Sequence, residues 1–398
     1  MSHKELREIC SACGTSPVNH KFLFILNFLD ETLGKVATKV FYFISSDKWQ
    51  KLADIVEKIL FFIFSNIGLA RFSKDIEKAT TGRSKLIWEE AERRSIPMEQ
   101  IVIFGKHIEL YKAKINGQLI YFQSLPIPPW FPKNGQMWID DKFTLFKKLK
   151  KEDIPVPATE KVFSLGRAKK SFDKMSKPVI IKPQNGSRSR HTTTSINTKD
   201  ELEKAITLAR EITLFTVMQE HLSGSVYRAT VINNELVGFY RADAPFVKGD
   251  GLETVRELIS EKNHTRNERL SEILINDDLN FFIKRYGYAL DDILPKNKEL
   301  YLSAKTGRMY GGYTKEMLPL VHPKMYSIFA KAGKLMEATV VGFDLIIKDP
   351  TKDPDTQRWG IIECNSLPFI DLHYFPLEGE PINLAKNVWD LWSSEKQK

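Results

Sequence analysis

Asp344, Glu363 and Asn365 are the residues of this 398-residue sequence best placed to do chemistry together. They interrupt or close two apolar runs, residues 340–347 (VVGFDLII) and 359–362 (WGII). Bounded by turn residues, these runs read as buried strands. A carboxylate inside an apolar strand costs several kcal/mol unless something compensates it. Three oxygen-bearing side chains at adjacent strand ends point to a hard cation, and Mg2+ typically joins a few protein oxygens to substrate phosphates. Glu363 and Asn365 are two apart and share a strand face, while Cys364 takes the other. The competing reading is a surface hairpin whose acids are solvated.

A second group of residues suits anions. Lys182 ends the predicted strand 179–181, and the loop after it, QNGSRSRHTTT, offers backbone N–H groups and hydroxyls together with Ser187, Arg188, Arg190 and His191. Such a loop can fold over phosphates; an exposed basic hairpin is the plainer reading. Arg228 and Arg241 fall on predicted strands and each needs an anionic partner, a role that a structural salt bridge fills equally well. Gly311-Gly312 marks a place where backbone can approach a ligand closely.

The elements that position these residues follow from local pattern. Asp140 or Asp141 caps a helix from about residue 142 to 151. A helix is predicted over 199–211, a hairpin turns at Asn233-Asn234, VKGDG makes a tight turn at Asp250-Gly251, and a helix over 323–338 precedes the acidic strands. Residues 81–138 form a small α/β unit with a hairpin at Asn116-Gly117 and a stiff segment at Pro126, Pro128, Pro129 and Pro132. Three parts are expected: a helical segment at 1–80, the small unit at 81–138, and a larger domain at 139–394.

Residues 21–72 are rich in Phe, Ile and Leu, but lysines break every run before the ~18 residues of a membrane span. The favoured reading is a helical hairpin packed on its own chain or on a second subunit; contact with a membrane surface is the alternative. The composition is that of an ordinary globular chain, with net charge +9 and a pI near 9.1, which suits acidic partners. No nucleic-acid motif accompanies the charge. Three cysteines exclude a disulfide framework, and Cys10-x-x-Cys13 has no second CxxC; a zinc site there would have to recruit ligands such as His3 or His20. Residues 1–20 lack the apolar core of a secretory signal, and the cytoplasm is the default compartment.

Taken in order, Asp-Lys before a helix, Lys-Pro after a strand, Gln219-Glu220-His221, Arg228, Arg241, VKGDG and Asp344…Glu363-x-Asn365 resemble the ATP-grasp superfamily. Within it, residues 139–392 resemble the ATP-grasp domains of cyanophycin synthetase and bifunctional glutathione synthetase, most specifically in VKGDGLETVRELISEKN and ECNSLPFIDLHYFPLEG. The resemblance implies an α/β fold whose two lobes grip ATP between antiparallel sheets, preceded by a small pre-ATP-grasp domain at 81–138. It implies an ATP-dependent ligase that joins a carboxylate to an amine through an acyl phosphate. Lys142 and Lys182 then hold the phosphates, with Ser187 and Arg188 in the loop above them. Glu220, His221 and Leu222 receive adenine. Asp344, Glu363 and Asn365 bind Mg2+, with Glu363 bridging two ions. Arg241 lies near the transferring phosphate, with Lys182 as the second catalytic residue, and Arg228, Gly311 and Gly312 face substrate. The chain departs from the pattern in keeping only Gly186 in the phosphate loop, in Val226 where relatives carry an acid, and in Lys305 and Arg308 before Gly311.

Overall fold

The computed structural model describes residues 19–25, 27–28, 70–132, 139, 142–184, 191–284 and 286–393. The expectations for residues 1–18, for most of 21–72, for Asp140, Asp141 and the Lys142 side chain, and for Ser187, Arg188 and Arg190 lie outside these residues.

Strands β1 (Ala70–Ser73), β2 (Met98–Ile103), β3 (Lys106–Ile115) and β4 (Gln118–Phe122) form an antiparallel sheet in that order. Asn116 and Gly117 take φ of 48° and 81°, the left-handed geometry that a tight hairpin needs. Helix α1 (Gly82–Arg93), capped by Thr81, lies on this sheet. The sheet begins earlier than residue 81. Ala70–Ser73 was expected to end the helical segment, but its backbone pairs with Gln100–Ile103. Pairing with a sheet edge outweighs a local apolar pattern that carries no strand signal of its own.

Helix α2 (Lys142–Lys151) leads into the second sheet, of β5 (Thr159–Val162), β6 (Val179–Pro183), β7 (Thr193–Ile196) and β8 (Thr216–Glu220), ordered β5-β8-β6-β7. Helices α3 (Leu165–Lys174) and α4 (Lys199–Ala209) bury Phe172, Leu202 and Ile206 against Val179, Ile181 and Met218. A capping box between Thr198 and Glu201 starts α4.

The central sheet contains β9 (Ser225–Ile232) and β10 (Glu235–Ala242). After a two-stranded excursion, β11 (Phe246–Lys248) with β12 (Glu299–Tyr301), and helices α5 (Val255–His264) and α6 (Asp277–Lys284), it adds β13 (Thr314–Glu316), β14 (Val340–Ile347) and β15 (Gly360–Asn365). The order is β13-β10-β9-β14-β15, all antiparallel. Strand alternation sends Tyr227, Ala229, Val231, Phe239, Phe343, Leu345 and Ile361 to one face, where they pack on α7 (Pro323–Met336) and α2 through Met325, Phe329 and Phe146. Burying each such side chain contributes roughly 1.5–3 kcal/mol. The opposite face carries Arg228, Thr230, Asp344, Glu363 and Asn365.

Helix α8 (Leu384–Asp390) returns to the first sheet. Trp389 and Trp392 donate their indole N–H groups to the carbonyls of Ile87 (2.9 Å) and Pro126 (2.6 Å), and Trp389 shares a core with Trp88, Tyr111, Ile232 and Val340. The small unit and the central sheet therefore share one core. Among the described residues no helix is long and apolar enough to cross a membrane.

Candidate active site

The register lines Glu316, Tyr240, Arg228, Asp344 and Glu363 in one row across all five strands of the central sheet. The next row holds Gly238, Thr230, Gly342 and Asn365. Directly opposed residues of an antiparallel ladder stand on the same face, so Asp344 and Glu363 confront each other, an arrangement that is repulsive when nothing lies between. Arg228 answers part of that charge. Its Nε donates to Asp344 Oδ1 at 2.6 Å and its Nη2 to Oδ2 at 3.0 Å, a bidentate pair that fixes the carboxylate plane. Asn365 Nδ2 adds a longer contact to Asp344 Oδ2 at 3.4 Å. A bulge between Asp344 and Leu345 leaves Ile362 as the extra residue on β15 and keeps Glu363 opposite Asp344.

Two carboxylates and an amide, half-buried on one face of two adjacent strands, are a hard-oxygen donor set that fits Mg2+. Arg228 was expected to face substrate, and the structure spends two of its donors on Asp344 instead. The third, Nη1, is buried and has no hydrogen-bond partner. It lies over Gly342, where a Cβ would come within 3.0 Å of Nη1 and 2.8 Å of Pro368.

The other expected residues are distributed as follows. Lys182 Nζ donates to Gln219 Oε1 at 2.7 Å and sits 6.0 Å from the ring centre of Phe146, in the core beneath β14 and β15. The Glu220 amide donates to the Ala158 carbonyl at 2.8 Å and the His221 amide to Pro178 at 3.2 Å. The Glu220 carboxylate accepts from Ala158 N–H at 3.0 Å and is clamped by Arg358, whose Nε donates at 2.8 Å and whose Nη2 also donates. The Arg358 hydrogen bonds hold the Glu220 carboxyl below its usual range against the opposing effect of burial. This part of the expectation changes: the Glu220 carboxylate fastens the second sheet to the approach of β15, and the two amides bond to residues just before β5 and β6. Leu222 is buried beside them, and burial pushes the His221 imidazole down.

Arg241 follows Tyr240 and falls on the alternate row with Tyr227 and Leu345, not with Asp344 and Glu363. Its Nη2 pairs with Asp243 at 2.7 Å and its guanidinium lies over Tyr313. Gly311 has φ +78°, and a side chain there would meet Ile273; one at Gly312 would run into the Asp243 carbonyl. The close approach at this glycine pair is therefore to the chain's own backbone.

Three features escaped sequence reasoning. Arg358 carried one signal, a charge immediately before a buried strand. Arg83 donates to the Leu367 carbonyl and to Ser124 Oγ (2.7 Å), tying α1 to the loop that follows Asn365. Thr230, His373 and Glu316 form a chain: Thr230 Oγ1 to His373 Nε2 at 2.7 Å, and His373 Nδ1 to Glu316 Oε2 at 2.6 Å. It has the order of a nucleophile–base–acid triad. All three are fully buried, however, and Glu316 Oε1 already accepts from the amides of Phe239, Met317 and Leu318. It is a structural tie among β9, β10, β13 and the turn at Ile370–Tyr374.

A two-lobed arrangement of antiparallel sheets with acidic residues on the central one is the ATP-grasp fold. Residues 139–241 match the family model described as an ATP-grasp domain. The crystal structure of a bifunctional glutathione synthetase from Pasteurella multocida superposes with a TM-score of 0.52 at 23% identity, over 78% of this chain and 44% of that one. In sequence, the chain is 29% identical over 222 residues to cyanophycin synthetase of Synechocystis sp., covering 54% of this chain and 25% of that protein. It is 28% identical over 297 residues to the glutathione biosynthesis bifunctional protein of Mannheimia succiniciproducens, covering 72% and 38%. The ATP-grasp resemblance read from the motifs is borne out. The chain spans about a quarter to two fifths of the length of these curated relatives.

Proposed function

We propose that this chain is an ATP-dependent carboxylate–amine ligase that forms an amide or peptide bond on an amino-acid or peptide substrate. The observation that carries the proposal is the confrontation of Asp344 and Glu363 beside Asn365. Two opposed carboxylates beside a side-chain amide, half-buried on one face of the sheet, are a hard-oxygen donor set that suits Mg2+. Mg2+ at these residues would supply the charge that phosphate oxygens need during transfer, and two ions sharing Glu363 belong to this reading.

Phosphoryl transfer depends on positioning and charge neutralisation more than on covalent help. A substrate carboxylate oxygen attacks the γ-phosphorus of ATP, the bond to the β-phosphate oxygen breaks, and ADP leaves. The amine then adds to the acyl carbon, loses a proton, and expels phosphate. Arg228 serves by orienting Asp344 through its bidentate pair. Lys182 neutralises phosphate charge from the facing sheet, with Lys142, Ser187 and Arg188 as further contacts. Ile346 and Ile362, half-buried on the strands that carry Asp344 and Glu363, offer an apolar surface for the adenine ring.

The test is ADP release over a panel of amino acids and acidic peptides, with hydroxylamine present to trap the acyl phosphate as a hydroxamate. The expected result is a hydroxamate only with ATP, Mg2+ and the correct acid together. Nucleotide binding without hydroxamate or ADP across the panel would overturn the ligase in favour of a non-catalytic ATP binder.

A further inference from the structure

Away from the central sheet, a second set of ligating side chains converges where residues 19–28 meet the second sheet. His20, His191 and Glu211 each offer one ligand atom, and these atoms lie within 4.8 Å of one another. Glu211 Oε2 is 3.5 Å from His20 Nδ1 and 3.6 Å from His191 Nδ1. The two imidazoles meet edge to face with centres 4.7 Å apart. Tetrahedral zinc with ligands at about 2.0–2.1 Å holds neighbouring donor atoms about 3.3–3.5 Å apart, so the spacing of His20 Nδ1 from the Glu211 carboxylate already matches.

His191 is built into the fold rather than laid on it. It is fully buried, takes φ +50°, and its Nδ1 bonds to the Leu208 carbonyl at 2.7 Å. A carbonyl accepts only, so hydrogen sits on Nδ1 and the lone pair on Nε2, the second-sphere arrangement that prepares histidine as a ligand. Asn27 Nδ2, which donates to the Ile212 carbonyl at 2.7 Å, holds the same N-terminal residues against the same corner.

We infer that His20, His191 and Glu211 form a transition-metal site of Zn2+ type, distinct from the acidic site on the central sheet, that staples the N-terminal residues to the nucleotide-side sheet. Two imidazoles and a carboxylate leave one tetrahedral position for water or a further ligand.

The experiment is titration of the full-length, metal-stripped protein with Zn2+ in excess Mg2+, followed by calorimetry, and with Co2+ followed by visible absorption. The parent should bind one equivalent of metal that His20→Ala and Glu211→Gln each weaken at least about tenfold, with Co2+ bands of a tetrahedral nitrogen–oxygen site. These two side chains are not fully buried, so the variants should keep the parent's circular dichroism; His191→Ala is the third arm. Three outcomes overturn the proposal. These are no zinc bound above stoichiometric background, equal affinity in parent and both variants, or zinc lost on replacing Cys10 and Cys13 while His20→Ala and Glu211→Gln leave it unchanged.

Discussion

At one end of the row that crosses the central sheet, Glu316 meets His373 and Thr230; at the other, Asp344 meets Glu363 and Asn365. Both clusters stand on the same face, and each is built from carboxylates and polar side chains. In the first, every group is buried and Glu316 accepts from His373 and three backbone amides. In the second, two carboxylates face each other half-buried, and Arg228 forks onto Asp344. A satisfied buried network stabilises and specifies a fold. An accessible pair of opposed carboxylates is where a bound cation has something left to stabilise. Residue type does not separate the two; burial does.

Four perturbations test that contrast. Glu363→Gln keeps shape and removes charge from the open cluster; ADP release should fall by about 10²–10³-fold with the thermal midpoint nearly unchanged. A variant that turns over like the parent would sink the metal assignment. His373→Ala should do the reverse, lowering unfolding free energy by about 3 kcal/mol in denaturant titrations, since it opens a cavity and strips Glu316 of a partner. Full stability in this variant would mean that the buried cluster is not a tie.

Gly342→Ala probes the row between the clusters. The added methyl meets Pro368 and Arg228 Nη1, so stability should fall by about 1–2 kcal/mol and turnover should fall with it as Arg228 shifts. Retained turnover with only the stability loss would detach Arg228 from the chemistry. The smallest effect is expected at the hinge. Because Arg358 lowers the Glu220 carboxyl in the native state, its contribution is present above the unfolded carboxyl value, about 4.3, and is lost as pH falls through the lowered native value. Arg358→Ala should therefore be less stable than the parent near neutrality and indistinguishable from it in acid. Denaturant midpoints at both ends of that range measure the difference; a gap that persists in acid would assign Arg358 to packing instead.

Much of the open cluster was legible because local sequence writes it: an apolar run broken by one Asp, and Glu-x-Asn ending the next run. Strand β14 has the bounds that its pattern predicts, and β6 ends at the expected Lys182-Pro183. The hairpin at Asn233-Asn234 follows from residues that tolerate positive φ, and both adopt it. What the sequence hid depends on register. That Arg228 faces Asp344, that Arg241 takes the alternate row, and that His373 reaches Thr230 are consequences of strand pairing between distant segments, which no window of local pattern contains. Arg358 and Glu220 are likewise joined only when two sheets meet.

The indole of Trp389 bonds to a carbonyl 302 positions earlier in the chain. A ribosome therefore delivers the first sheet and α1 long before it delivers the helix that closes their core. Through most of synthesis Trp88, Tyr111 and their neighbours face water, in a state open to premature association. The small unit is early in the gene and late in time, and a nascent chain stalled anywhere before α8 should engage chaperones through that uncovered face.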